Sequence, residues 1–291
     1  MGCGSVATYR AALLFIFFNV PLLTCKVTKL FRNFVPIMVK KLYTAAFALA
    51  AGLVLAACGG GDKKPKALTV PVAHAVADTV LTLGHYGRLR VHVDFAYLRG
   101  KEYAAVNDSL LRMGLLQPDY SGISYQRLQP VPAVRDFVRR YADDYVEMAR
   151  LIRQHEKKAA RLDWQLDIRT RFAAGQGSDI VCLADIANKT GDAVVRYTLV
   201  RNFNPKTGRI TTLADAFGDD YRESLTHEIV SALAGRLGLE NADSTALRTK
   251  GYFVGTSPYP TDNCILTDDS ATFIYTPGEI AAKEVRVSIE R

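Results

Sequence analysis

From residue 88 onward the chain alternates between two hydrophobic periods. In Arg88–Leu98, Val91, Val93, Phe95 and Tyr97 project to one side, and His92 and Asp94 to the other. A two-residue repeat of that kind predicts a strand with one face in the core. Glu102–Leu115 shifts to helical spacing, with Tyr103, Val106, Leu110 and Met113 on one side. Pro118 to Pro132 reads as a turn-rich connection. A long helix is predicted from Pro132 to about Leu162, with Val134, Val138, Tyr141, Tyr145, Met148, Ile152 and His155 as its apolar stripe. Its remaining faces carry Arg139, Arg140, Asp143, Asp144, Lys157 and Lys158, a solvated pattern, and the stripe reads as core.

Three strands follow in close succession, at Trp164–Phe172, Asp179–Ile186 and Ala193–Phe203. Short links between them predict an antiparallel meander. Trp164, opening an alternating strand, is expected in the core, and Cys182 shares a face with Ile180, Ala184 and Ile186. Asn204-Pro205-Lys206-Thr207-Gly208 is a tight reversal in which glycine supplies positive φ. Leu213–Phe217 leads to a helix at about Asp220–Leu237, where Asp220 and Glu223 have capping-box spacing. After a loop rich in Gly, Pro and Asp come Thr272–Tyr275, a short turn at Glu279–Lys283 and a last strand at Val285–Ile289. The fold class expected is α+β, an antiparallel sheet with helices packed on one face, in two closely associated subdomains.

Upstream of this, an apolar run from Leu42 to Ala57 follows Lys40-Lys41 and ends in Leu55-Ala56-Ala57-Cys58. That is the pattern of a bacterial lipoprotein signal. The lysines hold the cytoplasmic end, the small residues admit a peptidase, and the Cys58 thiol would carry the lipid. An ordinary transmembrane anchor is the competing reading. Secretory signals span about 15–30 residues, and a segment counted from Met38 fits that length better than one counted from Met1. The expected organisation is an upstream or misassigned extension at 1–37, a signal peptide at 38–57 and a tether and linker at 58–87. An N-terminal α+β part at 88–190 and a C-terminal one at 191–291 complete it.

Charge changes the picture once the leader is set apart. The whole chain carries +8, but six of its 37 Lys and Arg precede Cys58, with no Asp or Glu there. The remainder holds 31 basic against 29 acidic residues, a net of +2. So balanced a domain has no electrostatic footprint for a phosphate backbone, and no nucleic-acid partner is expected. Of five cysteines only Cys182 and Cys264 lie beyond Cys58, and sequence alone leaves their pairing open.

No constellation for chemistry stands out. His74, His85 and His92 lack metal-ligand spacing, and His92 with Asp94 reads as a surface pair. Adjacent carboxylates such as Asp143-Asp144, Asp219-Asp220 and Asp268-Asp269 point in different directions and make no acid–base pair by themselves. There is no phosphate-binding loop, dinucleotide fingerprint, nucleophile elbow or zinc-protease helix. No cofactor, no metal and no catalytic activity are expected.

Two segments nonetheless resemble a known family. Asn202-Phe203-Asn204-Pro205-Lys206-Thr207-Gly208-Arg209-Ile210-Thr211-Thr212-Leu213-Ala214-Asp215-Ala216-Phe217, followed by an amphipathic helix, is similar to the hallmark of RsiV-type extracellular domains. So is Ala271-Thr272-Phe273-Ile274-Tyr275-Thr276-Pro277-Gly278-Glu279-Ile280-Ala281. The chain departs from the pattern at Gly191-Asp192-Ala193-Val194 and at Gly278, where relatives carry Gly-Gly-Ala-His and an aromatic residue. The resemblance implies a membrane-anchored binding module of the cell envelope, facing the periplasm or exterior. Its ligand would be cell-wall glycan (peptidoglycan) or a lysozyme-like protein, contacted through Tyr275 and Glu279. A hydrolase acting on envelope polysaccharide is the alternative.

Overall fold

The computed structural model of the chain describes residues 68–120, 126–155, 161–240 and 243–291. Cys58, the signal segment and the glycine-rich tether therefore lie outside the described residues.

Folding begins earlier than the sequence pattern suggests. Strand β1, Val72–Thr82, occupies much of the span read as linker and pairs over its full length with β2, Gly87–Leu98. Its period was masked because the larger valines stand on the outer face and small alanines on the inner one: Ala75 is buried, whereas Val76 and Val80 point to solvent. A single 3₁₀ turn, Lys101–Tyr103, leads to the short helix α1, Ala104–Leu111, and then to the long helix α2, Pro130–His155. The strands β3 (Leu162–Ala174), β4 (Ile180–Thr190) and β5 (Ala193–Phe203) form the expected antiparallel meander. Together they make a five-stranded sheet in chain order, β1-β2-β3-β4-β5.

The sheet is not antiparallel throughout. β2 runs parallel to β3, with Gly87 opposite Leu162 and Asp94 opposite Arg169. The reason lies in the connection: two helices intervene, and a crossover of that length returns the chain in the same direction. Helix α2 covers the inner face of β1 and β2, burying Val134, Phe137, Val138, Tyr141, Tyr145 and Ala149. The stripe thus turns onto Phe137 and Ala149 and leaves Met148 and Ile152 only half-buried. Trp164 is half-buried as well, its ring 5.4 Å from Tyr145 and 6.4 Å from Tyr141.

A second, smaller unit of secondary structure follows Phe203. It comprises α3 (Leu213–Phe217), α4 (Tyr221–Arg236), α5 (Ser244–Thr249) and the three-stranded sheet β6 (Cys264–Leu266), β7 (Ser270–Tyr275) and β8 (Val285–Glu290). Its core gathers Leu225, Ile229, Leu233, Phe253, Phe273, Tyr275, Val285 and Val287. The core of the larger sheet runs on to Phe203 and the smaller one starts at Leu213, so β5 belongs with the first sheet although it lies past residue 190. The capping box also falls elsewhere than the spacing suggests. Asp220 makes no side-chain cap, whereas the Thr212 hydroxyl accepts from the Asp215 amide, and Asp215 accepts in return from the amide of Thr212.

The two sheets meet across a buried joint. Outward-facing Val181, Leu183 and Val200 pack on Ile274 and Ile265. Beside them the free edge of β5 is closed by side chains rather than by a strand. The Val200 amide donates to Asn263 Oδ1 at 2.6 Å, and Asn263 Nδ2 donates to the carbonyls of Thr198 and Ile274, each at 2.8 Å. Asn202 Nδ2 donates to the Cys264 carbonyl, while Asn202 Oδ1 accepts from the Leu266 amide. Both asparagines are buried, and their amides supply the donor and acceptor pair that a strand would. Cys182 and Cys264 are buried free thiols. Burial holds both above the usual thiol range, Cys264 at about 12.

Candidate functional site

The residues singled out at the end of the chain come together, but inward. Tyr275 is fully buried, its ring edge-on to Phe253 and Tyr259, and its hydroxyl donates to the Tyr259 carbonyl at 2.6 Å. Stacking on a ligand needs an open ring face, and this one has none. Glu279 accepts from the Tyr259 hydroxyl at 2.6 Å and from the Thr276 amide at 2.8 Å and hydroxyl at 3.1 Å. Its carboxylate therefore clamps the turn Thr276–Pro277, and Tyr275 packs beneath. Tyr275 thus builds the wall from inside, and half-buried Glu279 fixes the turn above it.

That wall borders a groove along β5. Because α2 lies chiefly over β1 and β2, no helix among the described residues covers the inner face of edge strand β5. Val195, Tyr197, Leu199 and Arg201 alternate along it, flanked by Gly114 and Gln117 on one side and by Thr276 and Pro277 on the other. The groove has a volume of about 340 Å³. Its floor is aromatic and aliphatic, and its polar groups are an amide, hydroxyls and one guanidinium. That mixture suits a neutral or anionic ligand with apolar faces. Tyr197 is half-buried, and burial raises its phenol pKa. Tyr141, close behind it, is pushed up to about 12 by burial first, then by Tyr197 and Asp144.

Arg201 is held in place by the main chain. Nε donates to the Met113 carbonyl at 2.9 Å and Nη1 to the Val200 carbonyl at 2.8 Å. Gly114 takes φ +71°, a conformation that favours glycine, and lies beside the guanidinium: a Cβ there would make only ordinary contact, 3.7 Å from Gln117 Nε2 and 3.9 Å from Arg201 Nη2. The signal for Arg201 was present in the sequence, as a charge in the inward register of a strand that otherwise buries Phe203. Tyr197 and Gln117 carried no such signal, since only the position of α2 decides that their faces stay uncovered.

A second depression of about 380 Å³ lies on the opposite face, lined by Asp167, Arg169, Asp185, Arg196, Thr198 and Glu284 among others. Its carboxylates are engaged: Asp167 with Arg169 at 2.9 Å, Asp185 with Arg171 at 2.5 Å, Glu284 with Arg286 at 2.9 Å. Farther along that face His92 faces Asp78 and His74 faces Asp94, both at 2.6 Å, so His92 and Asp94 pair across strands rather than with each other. Among the described residues no three His, Cys, Asp or Glu side chains are placed to hold a metal ion.

With the fold and groove in view, solved structures of similar shape are informative. A member of the DUF3298 family from Bacteroides fragilis matches with a TM-score of 0.64 at 19% identity, over 76% of this chain and 90% of that one. A DUF3298 family protein from Pseudomonas aeruginosa matches with a TM-score of 0.50 at 15% identity, over the same shares of the two chains. The chain has the DUF3298 fold. No protein-family model matches it, and no curated protein does. At such low identity the likeness speaks for the fold alone.

Proposed function

We propose that the protein is a bacterial envelope lipoprotein, anchored through Cys58, whose folded part binds an envelope-associated ligand and performs no chemistry. The observation that carries this reading is the groove along β5. Tyr197, Leu199 and Pro277 offer apolar surface, Gln117 and Thr276 offer hydrogen-bonding groups, and among the described residues its lining holds no carboxylate or histidine. Apolar surface with a few convergent polar groups is what a recognition site needs. The lipoprotein pattern at Cys58 supports placement at the membrane, and the RsiV-type resemblance supports wall glycan or a lysozyme-like protein as the ligand.

The test is co-sedimentation of the full chain, in detergent, with purified peptidoglycan, alongside capture on immobilised lysozyme. Tyr197→Ala should weaken whichever interaction is seen by roughly tenfold, equivalent to ~1.4 kcal/mol. Unchanged binding in that variant would move the site away from β5. The hydrolase alternative draws on the opposite depression, where Asp167, Asp185 and Glu284 gather. Release of reducing ends from peptidoglycan, abolished by Asp185→Asn, would establish it in place of the binding reading.

A further inference from the structure

We infer that Arg201 makes the groove along β5 an anion subsite, and that its ligand is a glycan whose sugars bear a carboxylate. The inference deepens the binding reading and rests on it. Three observations support it. First, Arg201 is half-buried yet forms no ion pair with any described residue, unlike Arg112 of similar burial, which pairs with Asp108 at 3.1 Å. Taking a charge part-way out of water without a counter-charge is unfavourable unless something else neutralises it. Burial indeed draws the guanidinium pKa down, and Asp262, acting from beyond ion-pair distance, only partly opposes this.

Second, the guanidinium is pre-oriented. Two of its nitrogens are fixed on the Met113 and Val200 carbonyls, while Nη2 has no protein acceptor among the described residues and stands over the open Cα of Gly114. A fixed fork with free N–H groups matches an incoming carboxylate and needs little reorganisation to receive it. Third, the surroundings suit a sugar rather than a bare anion. Tyr197 gives the floor an aromatic surface, and the hydroxyl of Thr276 and the amide of Gln117 border it. An aromatic face beside hydrogen-bonding groups accommodates a pyranose, which has apolar C–H faces and polar edges.

The experiment compares ligands on the full chain in detergent by calorimetry. Four probes are used: the N-acetylglucosamine–N-acetylmuramic acid disaccharide, the same disaccharide as its methyl ester, neutral chitotriose, and triglutamate. The acid disaccharide should bind about tenfold more tightly than its ester or chitotriose, a loss of ~1.4 kcal/mol on neutralising the carboxylate. Arg201→Gln should remove that preference while chitotriose binding persists, and Arg201→Lys should restore part of it. The ester comparison needs no variant, so it stands even where Arg201→Gln fails to fold. Equal affinity for acid and ester overturns the anion subsite and leaves the groove as a neutral-glycan site. Binding of none of the sugars overturns the groove reading together with this one. Triglutamate binding as tightly as the acid disaccharide overturns the glycan and points to an acidic peptide.

Discussion

Single residues in this protein divide between those that build the groove and those that hold its wall. Tyr275 and Glu279 belong to the second kind, and two substitutions at Tyr275 separate its hydrogen bond from its packing. Tyr275→Phe removes one internal hydrogen bond and should cost about 0.5–1.5 kcal/mol. Tyr275→Ala leaves a cavity among Phe253, Tyr259 and the β7 core and should cost about 3–5 kcal/mol. Denaturant unfolding checks both, and a change smaller than 0.5 kcal/mol in the alanine variant would show a ring that faces water. Aromatic and acidic character at these two positions was legible in sequence, but not its direction. Alternation along β7 puts Phe273 and Tyr275 on the same face, and that face lies in the core of the smaller unit, with Phe253 and Tyr259 against Tyr275, rather than in solvent. A strand pattern says which residues share a side; the partner layer decides which side is buried.

At the level of elements, the meander β3-β4-β5 was readable because β3 and β5 alternate and the links between the three strands are short and rich in turn residues. The parallel pairing of β2 with β3 was not, since it follows from where a two-helix crossover sets the chain down. Strand β1 was hidden for another reason. An edge strand needs only one buried face, and Ala73, Ala75 and Ala77 mark it weakly beside exposed Val76 and Val80. The joint between sheets makes a sharper prediction. Asn263→Ala strips partners from the Val200 amide and the Thr198 and Ile274 carbonyls, and an unmet buried group costs ~1–3 kcal/mol. Unfolding of the variant should show a loss of at least ~2 kcal/mol, whereas a surface asparagine would shift it by less than ~0.5 kcal/mol.

The start of α3 carries a pH dependence. Hydrogen bonds from the Thr212 amide and hydroxyl, then from Arg209, hold the Asp215 carboxyl below the usual range. A depressed folded-state value means the stabilisation is present above the ordinary carboxylate pKa of about 4 and fades as pH falls through the folded value. Asp215→Asn should therefore lower Tm at pH 7 and make less difference at pH 2–3. An equal effect at both values would assign the cap to neutral hydrogen bonding.

For the molecule as a whole, the paired layers imply that both sheets unfold together. Val181, Leu183 and Val200 lie under Ile274 and Ile265, so neither sheet keeps a complete core once the other leaves. Trp164, the only tryptophan, reports on the first sheet, and labelling of the buried Cys264 thiol, read on its own peptide apart from Cys182, reports on the second. Their exposure should follow one transition, and thiol labelling well before the fluorescence change would separate the sheets. Membrane attachment has its own check. Intact-mass measurement should find lipid on Cys58, and Cys58→Ala should accumulate as the longer precursor; a stable form retaining residues upstream of Cys58 would exclude lipoprotein processing.

What the sequence determined by itself was local: the strand period in β2 and β3–β5, the stripe of α2, the reversal at Gly208 and the mixed α+β character. Those features follow from side-chain spacing along one element, which is written in consecutive residues. The resemblance at Asn202–Phe217 likewise has local meaning, since Asn204 ties the turn through the amides of Lys206 and Thr207. Tertiary structure alone decided the rest. It set the crossover that makes β2 and β3 parallel, joined the two sheets through Asn202 and Asn263, turned Tyr275 inward and left the inner face of β5 uncovered. Each of these depends on which layer lies opposite which, a property of residues far apart in the chain. Arg201 marks the boundary between the two: its inward register is written in β5, but that no described carboxylate comes within ion-pair distance of it is not.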